Sequence, residues 1–167
     1  MIDCDTNTPV ECRQLDEASL RKLGNTHPDL YKVVIYARSH STVEFVVDCG
    51  QRSKEQQRKY VKRGTTTTMD SKHLVQSDGY AHAVDLVPIV DGRHSWDWKL
   101  IFQIAEAMRE SAQHNNVDVV WGGFWGIVND TKKPLENIAN DYAKDRKEEG
   151  QRVFLDGPHF ELKIEGE

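Results

Sequence analysis

The chain has 167 residues, 38% of them hydrophobic and 29% charged, with a formal net charge of −5. That is the size and balance of one globular domain that buries a core without disulfides. A pI near 5.8 with scattered lysines and arginines leaves no electrostatic footprint for nucleic acid, and no apolar run approaches the ~20 residues of a membrane helix.

Residues 1–5 are acidic and lack the basic start and apolar stretch of a secretory leader. The cysteines, Cys4, Cys12 and Cys49, are odd in number and match no Cys-x-x-Cys spacing, so they read as free thiols in a reducing compartment. Residues 15–23 read as a short amphipathic helix closed by Gly24, and a second helix is expected from Pro28 to His40, with Leu30, Val33, Val34 and Ala37 on its apolar face. Residues 42–49, rich in β-branched and aromatic side chains, form a strand in which Cys49 is expected to pack. Ser53 caps a helix reaching about Arg63, followed by an exposed loop over 63–68.

Residues 83–90 are a strand ending at an Asp91-Gly92 turn. A helix over 97–113 buries Ile101, Ile104, Ala105 and Met108, and 117–121 returns as a strand. The charged stretch 132–152 carries Leu135, Ile138, Ala139 and Tyr142 at helical spacing and reads as a surface helix. Residues 153–155 and 159–164 are expected as closing strands. With no internal repeat and no linker, the pattern is one α+β domain over 1–167, its core at about 20–164, with no second domain expected.

Of seven histidines, His27, His40, His94 and His114 lie beside polar turn or helix-end residues and read as solvated. His73, His82 and His159 remain. His73 precedes a glycine-containing loop that leads to Asp85 on a strand, and His159 has Asp156 and Glu161 close on either side. Two imidazoles and a carboxylate are a common catalytic zinc set with one position left open. The residues alone also allow satisfied core histidines, which are common.

The motifs Gly50, Gln51, Arg52, Ser53 with Gln56, then Ser71 and His73, then Ala81 to Leu86, then Trp121, Gly122, Gly123 and Trp125, then Asp156, Pro158, His159, Phe160, Glu161 and Leu162 resemble the peptidase M15 family. Within it they are similar to the phage endolysins of the L-alanyl-D-glutamate endopeptidase type, relatives of the D-alanyl-D-alanine carboxypeptidases. The resemblance covers about residues 20 to 164. It implies a small, mainly antiparallel sheet flanked by helices, with one zinc ion in a cleft on the sheet held by His73, Asp85 and His159. Asp85 follows His73 by twelve positions where the family usually has seven, so His82 stays open as the first ligand. On a strand, though, His82 would face away from Asp85.

By the same resemblance Asp156 is the catalytic acid and base, and Arg52 stabilises the oxyanion. A fixed guanidinium suits that task. Gln56, Ser71, Glu161 and Trp125 are candidates for substrate contact or for orienting a ligand. The implied substrate is the peptidoglycan stem peptide, cut by a monomer at the L-alanyl–D-glutamate bond. A phage lysis enzyme of this kind accumulates in the host cytoplasm and reaches the wall after holin release. Trimming of terminal D-alanine, or a zinc-stabilised binding module without turnover, are the alternatives.

Overall fold

A computed structural model describes residues 13–66 and 68–165; Cys4 and Cys12 lie outside the described residues. Asp16 caps α1 (Glu17–Leu23), its carboxylate accepting from the Ser19 amide at 2.7 Å. Helix α2 (Pro28–His40) follows, and His27 is its N-cap, Nδ1 accepting from the Asp29 amide at 3.1 Å. The expectation that His27 is merely solvated is therefore corrected. Strand β1 (Phe45–Cys49) leads into α3 (Lys54–Lys62), which opens on a capping box. The Ser53 hydroxyl accepts from the Gln56 amide, and the Gln56 side chain accepts from the Ser53 amide.

Strands β2 (Ala83–Val90) and β3 (Arg93–His94) form a hairpin ahead of α4 (Trp98–Asn115), which ends at Asn116 in the left-handed conformation. Strands β4 (Val119–Trp121) and β5 (Gly126–Ile127), a 3-10 turn, α5 (Leu135–Glu148) and β6 (His159–Leu162) complete the chain. The strands pair antiparallel in the order β1-β2-β6-β4-β5, with β3 on the far end of β2.

The core lies between one face of this sheet and the helices. Leu30, Val33, Val34 and Ala37 of α2 join Ile104, Ala105 and Met108 of α4 over Phe45, Val47, Val84, Leu86, Trp121 and Phe160. Helix α1 covers the outer edge of β1, where the buried Ser19 hydroxyl accepts from the Val47 amide at 2.9 Å. An edge strand otherwise leaves such donors open to another chain. The approach is so close that a Cβ on Gly50 would stand 1.9 Å from the Lys22 carbonyl oxygen.

Two expectations are corrected. Residues 153–155 form no strand; Trp125 holds that segment instead, its indole donating to the Phe154 carbonyl at 2.9 Å and its ring stacking on that of Phe154. Helix α5 is shorter than the charged stretch that contains it. Pro134 stands at its N-cap, and Gly150, with φ of 69°, turns the chain just after its end.

Candidate active site

Asp85 sits in the middle strand of three. The β-ladder places it directly opposite His159 of β6 on one side and Cys49 of β1 on the other. Cross-strand partners share a face, so these three side chains stand in one row on the sheet face away from the core. His73 reaches the row from a loop: its backbone carbonyl accepts from the Arg52 amide at 2.7 Å. The Ser71 hydroxyl accepts from the His73 amide at 3.2 Å, fixing the turn.

His73 Nε2 and His159 Nδ1 both approach Asp85 Oδ1, at 3.2 and 3.3 Å. Their other ring nitrogens are occupied. His73 Nδ1 donates to the Gly50 carbonyl at 2.8 Å, and His159 Nε2 lies 3.1 Å from Glu161 Oε1. A carbonyl or carboxylate behind an imidazole fixes its tautomer and aims the far nitrogen at a metal. Two groups of donor atoms lie within 4.8 Å of one another, Cys49 with His73 and Asp85, and Asp85 with Asp156 and His159. Asp85 belongs to both. Two imidazoles aimed at one carboxylate oxygen, each held from behind, fit a divalent cation.

The electrostatics match that geometry. Burial alone would lower the His73 pKa, but Asp85, with a smaller contribution from Cys49, outweighs it and raises it to about 10. Burial is likewise overcome at His159, where Asp85 and Glu161 hold the imidazole at about 9. For Asp85 burial is opposed by hydrogen bonds from His159 and His73, which hold its carboxyl well below the usual range. Without an ion, the two histidine protons therefore satisfy the carboxylate.

Asp156 faces the same cleft with its carboxyl pushed up, first by burial and then by the negative charge of Asp85. Its amide donates to the Gly122 carbonyl at 2.9 Å, while the Gly122 amide donates to the His159 carbonyl at 2.9 Å. Gly122 thus ties both residues to the end of β4. Arg52 lies across the cleft, Nη2 at 4.0 Å from Asp85 Oδ2, with its guanidinium 4.5 Å from the Tyr60 ring centroid.

The cleft has a volume of about 810 Å³. All nine residues given a site role by the resemblance line it: Arg52, Gln56, Ser71, His73, Asp85, Trp125, Asp156, His159 and Glu161. Trp125 packs 5.5 Å from the His159 ring. His82 does not line it. Its Nε2 lies 2.7 Å from Asp78 Oδ2, its ring packs edge-on against His27, and its buried Nδ1 has no partner among the described residues. The twelve-position interval between His73 and Asp85 is taken up by a small excursion pinched at its base. There the His82 amide donates to the Lys72 carbonyl at 2.8 Å, and Val75 bridges Ala81.

Sequence reasoning missed Gln57, Cys49 and Phe154. Gln57 is buried, accepts from Arg52 Nη1 at 2.8 Å and donates to the Thr68 carbonyl at 2.8 Å. The capping box was the available signal, because it occupies Gln56 and leaves the next residue to steady Arg52.

The sequence profile of the family described as phage L-alanyl-D-glutamate peptidase matches residues 12–163. The chain belongs to that family. Among solved structures, this peptidase is similar to the crystal structure of Serratia marcescens L-Ala D-Glu endopeptidase ChiX, with 32% identity, 92% of each chain covered and a TM-score of 0.66. The comparison with curated proteins gives no match. The match spans the cleft of this peptidase from Arg52 to Glu161.

Proposed function

We propose that this chain hydrolyses the L-alanyl–D-glutamate bond of the peptidoglycan stem peptide, using one zinc ion held by His73 Nε2, the Asp85 carboxylate and His159 Nδ1. The observation that carries this reading is the convergence of two imidazoles, each held from behind, on Asp85 beside a half-buried carboxyl, Asp156, in a cleft of the phage L-alanyl-D-glutamate peptidase family. A divalent ion there supplies Lewis acidity, polarising a carbonyl and acidifying water.

The protein's own groups do the rest. Asp156, its pKa raised by partial desolvation and then by the charge of Asp85, takes a proton from the attacking water and delivers it to the leaving amine nitrogen. Arg52, braced by Gln57 and Tyr60, donates to the substrate carbonyl oxygen as it gains charge. Glu161 holds His159 in orientation. Trp125 walls the cleft beside His159. Ser71 shapes the His73 turn, and Gln56 lines the cleft mouth while its amide serves the helix cap.

We read the chain as a monomeric lysis enzyme that reaches the wall from the host cytoplasm after holin release; the phage family supports this, and no described helix is long and apolar enough to cross a membrane. Expressed without a holin, it should leave host cells intact. The bond is identified by digesting purified peptidoglycan and sequencing the new termini by mass spectrometry. New amino-terminal D-glutamate is expected, whereas free D-alanine alone would make the enzyme a carboxypeptidase. Zinc binding without any new terminus would leave only a binding module.

A further inference from the structure

The row through Asp85 has a third member that the proposed chemistry leaves unused. Along β1, Phe45 and Val47 point into the core, so unbroken alternation would turn the next residue, Asp48, to the cleft face opposite Asp85. The pairing instead skips a residue: Val47 stands opposite Leu86, and Cys49 opposite Asp85. Asp48 is left exposed. A bulge of this kind re-aims one side chain and is frequent beside active sites. Here it exchanges a carboxylate for a thiol next to the carboxylate that both histidines share. The Cys49 sulfur lies within 4.8 Å of donor atoms of both His73 and Asp85, and Arg52 Nη2 points at it from 3.6 Å.

We propose that Cys49 is a fourth protein ligand of the metal centre, bound to the ion when no substrate is present. This rests on the metal reading given above. On binding, the thiol gives its proton to solvent and forms one sulfur–metal bond; nothing is oxidised or reduced. Cys49 shares a donor group with His73 and Asp85, while His159 shares one with Asp85 and Asp156. Two imidazoles, a carboxylate and a thiolate would together leave the ion no open position, as in a closed site, so Cys49 would have to leave before substrate is turned over. A sulfur donor also biases the centre toward zinc and other thiophilic ions and away from magnesium.

The test is cobalt(II) loading of a full-length Cys4→Ser, Cys12→Ser protein, so that Cys49 is the only thiol, followed by absorption spectroscopy. The expected result is an intense near-ultraviolet thiolate-to-cobalt charge-transfer band alongside the visible d–d bands. Cys49→Ser and Cys49→Ala should each lose the charge-transfer band while retaining the d–d bands. Visible bands without charge transfer in the Cys49-containing protein would overturn the ligand role and leave the His73, Asp85, His159 site standing. Failure to bind cobalt at all would overturn both readings together.

Discussion

Asp156 and Asp85 are both acidic side chains in one cleft, yet their surroundings drive them apart. Asp85 is held ionised by two histidines, while Asp156, half-buried close to that charge, is pushed up. Such divergence marks the proton-transferring member of a pair. Asp156→Asn should therefore keep its metal, measured by elemental analysis, and lose about 10²–10⁴-fold in kcat on peptidoglycan. Unchanged turnover would remove Asp156 from the chemistry. At this scale most of the cleft was legible in the sequence, because motif residues name chemical types at fixed places. What the sequence left open was the choice between His73 and His82. A loop five residues longer than usual hides which imidazole returns to Asp85, and only the folded chain sends His82 to Asp78 instead. Cys49 was illegible for a different reason: counting alternate residues along a strand fails wherever a bulge intervenes.

Elements hold the site through backbone contacts that tolerate no added atoms. A Cβ on Gly122 would stand 2.2 Å from the Asp156 carbonyl oxygen, at the point where β4 is tied to both Asp156 and His159. Gly122→Ala should lower stability by about 1–3 kcal/mol, read as a drop of several degrees in Tm. Activity should fall further than that loss alone explains, since the misplaced groups are the proposed base and a proposed metal ligand. A variant with full activity and unchanged Tm would show that the loop shifts freely. Helices were the readily legible elements, since their apolar spacing extends over many residues and Ser53 announces its own cap. The short strands β3 and β5 were not, because two residues carry no periodicity. Residues 153–155 look like a strand by composition, but the sheet offers them no partner.

For the whole molecule, ion binding, proton binding and folding are linked. His73 and His159 have pKa values of about 10 and about 9 in the metal-free fold, against 6.5 for the unreacted group. Both are raised, so the stability they contribute without metal is complete below pH 6.5 and is lost as pH rises through about 9 to 10. The metal-free protein should show a Tm that declines over that range, and the zinc-loaded protein should not. At pH 7 a zinc ion held as proposed by both histidines would displace on the order of two histidine protons. Calorimetry in buffers of different ionisation enthalpy should reveal their release, and zinc affinity should weaken as the solution is acidified. A proton-free binding isotherm would contradict the ligand set.

The excursion between His73 and Asp85 is closed at its neck by the Lys72–His82 bond and the Val75–Ala81 bridge, while Ser77 and Gly79 at its tip are exposed. Its ends are already held together, so lengthening the tip adds little closure entropy, only about 0.6 kcal/mol for each doubling. Extra residues spliced in after Ser77 should leave the melting temperature and the hydrolysis rate nearly unchanged, and a large loss of either would mean that the neck does not insulate the tip. The loop is thus a natural graft point, where a wall-targeting peptide could be carried as cargo close to the cleft without being built into it.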